Sequence, residues 1–227
     1  MLKAVIFDFD GIIVDTEPLH YRAFQQILEP LGLGYSWDEY VGRYMGFDDR
    51  DAFVEAFAAT GQQLSHDTLE QLIDRKARIF QEVIASGVAP YPGVVRLATE
   101  LAEKVPVALC SGALPSDILP ILNLLSLEKV FSVMVTAADV AASKPDPASY
   151  RLAVERLQSA FPQHGIEPAT CLAIEDTPAG IASAKGAGIR VVGVTNSYPA
   201  DHLTSASTVI DSLDGVTFAS LNAVING

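Results

Sequence analysis

Five short apolar runs constrain the fold of this chain more than any other feature of its sequence. One lies at residues 4–7, and the others span 105–110, 130–135, 171–174 and 189–194. The last four are rich in β-branched residues and do not alternate between apolar and polar positions, which is typical of strands buried on both faces. Helical segments separate them, and this alternation predicts an α/β fold built on a doubly wound parallel sheet.

Serine and proline positions predict where the intervening helices begin. Helices are expected over 92–103 and 116–125, the second with Ser116 as its N-cap. Two more helices are predicted to start at Pro147 and Pro178. Proline is favoured at the first position of a helix, because the N–H that it lacks would have no partner there.

Residues 16–86 interrupt this pattern. Few runs in this segment resemble buried strands, whereas Leu19, Ala23 and Ile27 recur at helical spacing. An all-helical segment therefore interrupts the α/β domain after its first strand. The sequence predicts two domains, which are an α/β core of residues 1–15 and 87–227 and an inserted helical domain of residues 16–86.

Composition limits the partners and the compartment. Hydrophobic residues make up 49% of the 227 and the net charge is −13, so we expect a large core and no binding to nucleic acid or to anionic membranes. No run approaches the roughly 20 apolar residues of a membrane span. The N-terminus shows no signal-peptide pattern, and Cys110 and Cys171 lie in apolar runs. We expect a cytoplasmic protein with two free thiols, and a monomer.

Two aspartates close the first apolar run. Asp8 and Asp10 stand one residue apart, and Gly11 follows. Two carboxylates this close repel each other unless a cation or a shared proton lies between them. Open α/β sheets bind ligands at the carboxyl ends of their strands, so the pair marks a candidate site. An ordinary Asp-Gly turn is the alternative at this point.

Polar residues also follow three later strands. Ser111 and Gly112 could hold phosphate oxygens at a strand-to-helix turn, although Ser-Gly is also an ordinary turn. Lys144 lies in a loop whose backbone two prolines restrict. Its side chain either contacts a ligand or is simply exposed to solvent. Glu175 and Asp176 end another strand and suit a hard cation such as Mg²⁺, or else cap the next helix.

Taken together, these residues resemble the four motifs of the haloacid dehalogenase (HAD) superfamily. They occur in the superfamily's order at successive predicted strand ends, and the resemblance covers the whole chain. The segment 16–86 is similar to the helical type 1 cap of that superfamily, which implies a Rossmann-like core with an inserted cap. Residues 8–17, DFDGIIVDTE, resemble the branch that holds β-phosphoglucomutase and sugar-phosphate or phosphoglycolate phosphatases.

The resemblance implies a role for each motif. Asp8 would be the nucleophile that forms an aspartyl-phosphate, and Asp10 would be the general acid and base. Ser111, Gly112 and Lys144 would bind the transferring phosphate, and Lys144 would also be catalytic. Mg²⁺ would be the cofactor, and four residues would hold it: Asp8, Asp10 through its backbone carbonyl, Glu175 and Asp176.

The second aspartate narrows the reaction class. Dehalogenases and phosphonatases of the superfamily lack an acid two residues after the first, so Asp10 favours transfer of phosphate from an oxygen. A receiver domain, which also phosphorylates an aspartate, would not carry an insertion of about 70 residues.

Phosphatase and mutase activities are harder to separate. His20, Arg50 and Lys76 favour a mutase and are candidate substrate-binding residues, although each could be structural or hydrated. The apolar stretch 113–115 after Ser111 contains no polar side chain that could bind a second phosphate, which favours a phosphatase. We expect a Mg²⁺-dependent phosphatase of a small phosphomonoester, such as a sugar phosphate. The alternatives are a β-phosphoglucomutase-type enzyme and a HAD-like binding protein with little turnover. Neither the substrate nor a role for residues 158–169 is predicted.

Overall fold

The chain forms two compact units. The computed structural model describes residues 1–45, 47 and 49–226. One unit comprises Met1–Asp15 and Ala89–Gly227, and the other comprises Thr16–Val88. The predicted division into an α/β core of residues 1–15 with 87–227 and a helical domain of residues 16–86 stays a prediction.

A parallel sheet forms the centre of the first unit. Its order is β3-β2-β1-β4-β5-β6, and each neighbouring pair is parallel. The order reverses direction at β1, which confirms the doubly wound sheet predicted from the sequence. In the described part of the chain the strands are β1 Ala4–Phe7, β2 Val107–Cys110, β3 Val133–Val135, β4 Cys171–Glu175, β5 Arg190–Val194 and β6 Thr208–Ile210.

Helices connect the strands and build the second unit. No helix among the described residues is both long and apolar enough to cross a membrane. Short 3₁₀ turns occur at Glu29–Leu31, Pro162–His164, Pro168–Thr170 and Ala200–His202, and a π-helix at Tyr40–Tyr44. The α-helices are α1 Glu17–Leu28, α2 Trp37–Glu39, α3 Asp49–Ala59, α4 His66–Ala85, α5 Val94–Ala102, α6 Pro115–Leu124, α7 Ala148–Ala160, α8 Pro178–Gly186 and α9 Phe218–Asn226.

The three central strands are buried along their whole length. Every residue of β1, β2 and β4 is buried, which explains why these segments show continuous apolar runs. Burial of one large aliphatic side chain contributes about 1.5–3 kcal/mol, so these buried strands contribute strongly to the stability of the unit. Cys110 and Cys171 lie in β2 and β4 as buried free thiols. The rigid strands fix the backbone positions at their carboxyl ends.

The sequence patterns predicted some helix starts wrongly and missed one strand. Helix α6 begins at Pro115 and its N-cap is Leu114, so the predicted cap at Ser116 is wrong. Helix α7 begins at Ala148, one residue after the predicted proline, while α8 starts at Pro178 as predicted. Strand β6 was not predicted, because it has three half-buried residues at the edge of the sheet and carries no apolar run.

Among the residues that the structure describes, the second unit contains the four α-helices α1 to α4. Helices α1 and α4 pack against each other, and α3 packs against α4. Their apolar faces meet in one cluster that includes Phe24, Phe53 and Leu72. The helical spacing of apolar residues in α1 predicted this packing, since one face of the helix is buried.

Candidate functional site

The predicted motif residues meet at the carboxyl edge of the sheet. Asp8 directly follows β1, Ser111 directly follows β2 and Asp176 directly follows β4. These strands are hydrogen-bonded neighbours, with β1 in the middle. Residues that are more than 100 positions apart in the sequence are therefore brought to one place by the parallel pairing.

Three buried carboxylates lie at the centre of this edge. One oxygen from each of Asp8, Glu175 and Asp176 lies within 4.8 Å of the others. Asp8 is 6% exposed, and the other two are fully buried. Burial raises the pKa of Asp8 well above its usual value, and Glu175 raises it further. Burial also raises the pKa of Asp176 to about 7.

This acidic group could hold a divalent cation. Asp176 Oδ1 is buried and has no hydrogen-bond partner in the described part of the chain. A buried carboxylate oxygen without a donor is costly, and a cation at that position would remove the cost. Three oxygen ligands within reach of one another are also the donor set that a hard cation prefers.

Lys144 balances part of the negative charge. Its Nζ lies 2.8 Å from Asp8 Oδ1 and 2.6 Å from Glu175 Oε1. It also donates to the backbone carbonyl of Cys110 at 3.1 Å. Burial lowers the pKa of Lys144, but the two carboxylates outweigh that effect and raise it above its usual value. Lys144 is therefore a fixed cation between the ends of β1 and β4, beside the carboxylate predicted to be the nucleophile.

Asp10 and Ser111 form a second contact. Ser111 Oγ donates to Asp10 Oδ2 at 3.4 Å and accepts from the backbone N–H of Ala113 at 2.9 Å. Ser111, Gly112 and Lys144 also line one small cavity of about 40 Å³. The predicted phosphate-binding groups thus face a common space, while the carboxylate of Asp10 lies next to the serine.

Two glycines leave room for the acidic side chains. Gly11 has φ +76°, and a Cβ there would overlap the Asp176 carboxylate. A Cβ on Gly180, in the first turn of α8, would overlap the Glu175 carboxylate. The close approach of these carboxylates to the backbone therefore requires glycine at both positions.

Sequence reasoning missed two residues that contact the carboxylates. The hydroxyl of Tyr150 donates to Glu175 Oε1 at 2.7 Å and is fully buried. The hydroxyl of Ser197 donates to Asp176 Oδ2. Tyr150 resembles a core residue of α7, and Ser197 resembles a turn residue after β5. Only the position of Ser197 just beyond a strand end could have indicated it.

Lys76 and His20 lie together inside the helical unit. Lys76 is 1% exposed, and its Nζ contacts Asp49 Oδ1 at 2.7 Å and His20 Nδ1 at 2.8 Å. The imidazole of His20 stacks on Phe80 with ring centres 4.3 Å apart. Burial and the charge of Lys76 lower the pKa of His20 to about 3. His20 is therefore a neutral hydrogen-bond acceptor for a buried lysine.

Arg50 lies at the surface of the helical unit. Its Nη2 contacts Glu70 Oε1 at 2.5 Å, and each side chain is 48% exposed. An exposed ion pair of this kind contributes at most about 1 kcal/mol, so Arg50 can leave it at little cost. Of the three residues predicted to bind substrate, Arg50 is exposed, His20 is partly buried and Lys76 is buried. Their role in binding stays a prediction.

The lowered pKa of the partly buried His20 predicts a pH dependence of stability. An unfolded histidine gains its proton near pH 6.5, whereas folded His20 gains it only near pH 3, so unfolding takes up a proton between those values. The free energy of unfolding should therefore fall as pH drops below about 6.5. His20→Asn keeps an acceptor for Lys76 and removes the titration. Urea unfolding between pH 7.5 and 4.5 should show wild type losing up to about 1 kcal/mol per pH unit relative to this variant.

The matched control is His66→Asn, since the side chain of His66 is 78% exposed in the same unit. Its unfolding free energy should follow that of wild type at every pH. Equal pH profiles for wild type and His20→Asn would contradict the assignment of a neutral imidazole to folded His20.

Comparison with known proteins assigns the family. A model of the haloacid dehalogenase-like hydrolases matches residues 5–194. The phosphorylated carbohydrates phosphatase of Thermotoga maritima is 34% identical over 200 residues, which cover 86% of this chain and 87% of that protein. The β-phosphoglucomutase of Bacillus subtilis is 32% identical over 204 residues, which cover 87% of this chain and 85% of that protein. The crystal structure of CbbY from Rhodobacter sphaeroides in complex with phosphate has a TM-score of 0.84 and 24% identity over 98% of this chain and all of that one, which shows the shared fold. The predicted family is thus confirmed, and the chain belongs to the haloacid dehalogenase-like hydrolases.

Proposed function

We propose that this protein is a phosphatase that hydrolyses a small phosphomonoester through an aspartyl-phosphate on Asp8. One observation carries the proposal, which is the contact of the largely buried Lys144 with the Asp8 carboxylate at 2.8 Å beside two further buried acids. Burial raises the pKa of Asp8, and the charge of Lys144 opposes that effect and favours the ionised form, which is the nucleophile. The relatives that carry phosphatase names support the same reaction class.

Asp8 and Asp10 divide the chemistry between them. A carboxylate oxygen of Asp8 attacks phosphorus, the bond from phosphorus to the ester oxygen breaks, and Asp10 gives the departing alcohol its proton. Asp10 then takes a proton from the water that attacks the aspartyl-phosphate, which releases phosphate and restores Asp8. The contact of Ser111 with Asp10 at 3.4 Å orients the acid for both steps.

Ser111, Gly112 and Lys144 bind the phosphate oxygens in this proposal. Ser111 and Gly112 supply a hydroxyl and a backbone N–H at the end of β2, and Lys144 supplies a fixed positive charge. Donors held rigidly before the reaction stabilise charge in the transition state without reorganisation. The Asp8 attack therefore takes place next to cationic and hydrogen-bonding groups that are already in position.

The cofactor in this proposal is Mg²⁺. Asp8, Glu175, Asp176 and the backbone carbonyl of Asp10 would hold it, and the unpartnered Asp176 Oδ1 supports that assignment. When bound, Mg²⁺ supplies positive charge that offsets the repulsion between the carboxylates and a phosphate dianion. Hard oxygen ligands of this kind favour Mg²⁺ over softer metals.

A sugar phosphate or another small organic phosphate is the proposed substrate. The phosphatase of Thermotoga maritima is named for phosphorylated carbohydrates, and the related mutase also acts on a sugar phosphate by its name. Lys76 is engaged in an ion pair with Asp49, and the stretch 113–115 is apolar. Both features favour phosphatase activity over mutase activity, because a mutase must bind two phosphates. The remaining alternative, a binding protein with negligible turnover, is separated by the assays below.

A cytoplasmic location and a monomeric state complete the proposal. Both cysteines are free and buried in strands, which supports a reducing compartment. The net charge of −13 supports a small-molecule partner rather than nucleic acid or an anionic membrane.

Asp8→Asn should abolish turnover. The amide keeps the shape of the side chain but cannot attack phosphorus, so phosphate release should fall at least about a hundredfold. Phosphate release from a panel of sugar and small organic phosphates measures this, with circular dichroism to verify folding. Asp201→Asn makes the same chemical change at an exposed residue and should leave the rate unchanged. Retention of a tenth of wild-type activity in Asp8→Asn would rule out Asp8 as the nucleophile.

Removal of divalent metal should also stop the reaction. Chelator should reduce phosphate release to background, and added Mg²⁺ should restore it. Ca²⁺ should inhibit, because its longer and more variable bonds misplace the carboxylate of Asp8. Asp176→Ala should shift the Mg²⁺ titration of activity to higher concentration. Undiminished activity in chelator would refute the metal assignment.

The products separate phosphatase from mutase. With β-glucose 1-phosphate and a bisphosphate primer, inorganic phosphate should form faster than glucose 6-phosphate. The reason is that the proposed site includes no group that binds a second phosphate. Parallel coupled assays for the two products measure the ratio. Isomerisation much faster than phosphate release would establish the mutase and would assign Arg50 and Lys76 to the substrate.

A further inference from the structure

We propose that Ser197, in the loop after β5, is a positioning residue that orients the Asp176 carboxylate toward a bound divalent cation. The inference rests on the proposed metal-dependent function and adds a residue to it. Ser197 belongs to none of the four motifs that the sequence analysis identified. It lies one strand beyond Asp176 in the sheet, since β5 is the neighbour of β4.

The two oxygens of Asp176 have different surroundings. Oδ2 accepts a hydrogen bond from the hydroxyl of Ser197. Oδ1 is buried and has no hydrogen-bond partner among residues 1–45, 47 and 49–226. Rotation about the last side-chain bond of an aspartate has broad minima, so a carboxylate without a donor can turn. The serine bond fixes one oxygen and thereby leaves the other in a defined direction for a metal.

The loop that carries Ser197 is anchored at the two preceding residues. Thr195 donates its backbone N–H to the carbonyl of Ile210 at 3.0 Å, which extends the pairing of β5 with β6. Asn196 Nδ2 donates to the carbonyl of Gly11 at 2.6 Å, which ties the loop to the turn after Asp10. The loop that presents the hydroxyl of Ser197 is therefore held by β6 on one side and by the turn at Gly11 on the other.

Gly11 completes the arrangement around Asp176. A Cβ at Gly11 would lie 2.8 Å from Ser197 Oγ and would also overlap Asp176 Oδ2. The turns after β1, β4 and β5 thus converge on one carboxylate, and the absence of a side chain at Gly11 makes the contact possible. This convergence links the orientation of Asp176 to the turn that carries Asp8 and Asp10.

A role in orientation can be separated from a role in stability. Ser197 is exposed, so removal of its hydroxyl deletes little packing. Partners that orient metal ligands typically contribute about 10–100-fold to metal affinity. A purely structural hydrogen bond would change the melting temperature and leave the affinity for metal unchanged.

The test compares Ser197→Ala, Ser197→Thr and Ser159→Ala with wild type. Ser159 is an exposed serine of α7 whose hydroxyl donates to the carbonyl of Glu155, so it is the matched control. Calorimetric titration with Mg²⁺ of metal-free protein, in the absence of substrate, gives the affinity directly. Ser197→Ala should raise the Kd about tenfold with kcat at saturating Mg²⁺ within about twofold, and the hydroxyl of Ser197→Thr should restore the affinity.

An unchanged Mg²⁺ affinity in Ser197→Ala would overturn the inference. Loss of folding in Ser197→Ala while Ser159→Ala folds would also overturn it, because the hydroxyl would then serve stability. If wild type releases phosphate from no ester but Ser197→Ala still weakens Mg²⁺ binding, the proposed phosphatase function fails and the role of Ser197 stands. If wild type binds no Mg²⁺, both the metal assignment and the role of Ser197 fail.

Discussion

The ion contacts of Lys144 are the interaction on which the site depends. The largely buried Lys144 bridges Asp8 at the end of β1 and Glu175 at the end of β4, two strands that are already paired. Without the lysine, adjacent buried carboxylates would face each other without compensation, and loss of one partner from a buried ion pair costs about 3–5 kcal/mol. Three carboxylates against one lysine still leave an excess of negative charge, which makes the site attractive to a divalent cation.

Hydrogen bonds from residues outside the motifs keep this charge arrangement rigid. Tyr150 donates to the same oxygen of Glu175 that Lys144 contacts, and Ser197 donates to Asp176. Gly11 and Gly180 provide the space that the two acidic side chains occupy. Such supporting groups matter because a carboxylate acts as a ligand or nucleophile only in a narrow range of orientations. The chemistry of the motifs therefore also relies on Tyr150 and Ser197, which belong to no motif.

The helical unit also contains a buried lysine, but different groups compensate its charge. Lys76 is buried, but its charge is compensated by Asp49, by the acceptor nitrogen of His20 and by the faces of Phe24 and Phe80. A buried cation with that many partners is part of the packing of its unit. The sequence could not show these contacts of Lys76, because a lysine in a helix gives no sign of what surrounds it.

The sequence alone determined the α/β class, the order of the motif residues and the carboxyl strand ends at which they lie. It could do so because strands buried on both faces must be apolar throughout, and because a parallel sheet brings its carboxyl ends to one edge. Only the tertiary structure decided that Lys144 contacts both Asp8 and Glu175, that Ser197 reaches Asp176 and that Lys76 is enclosed. Those contacts join residues that are distant in the chain, and single side-chain contacts leave no periodic pattern in a sequence. Strand β6 was missed for the related reason that a short edge strand needs no apolar run.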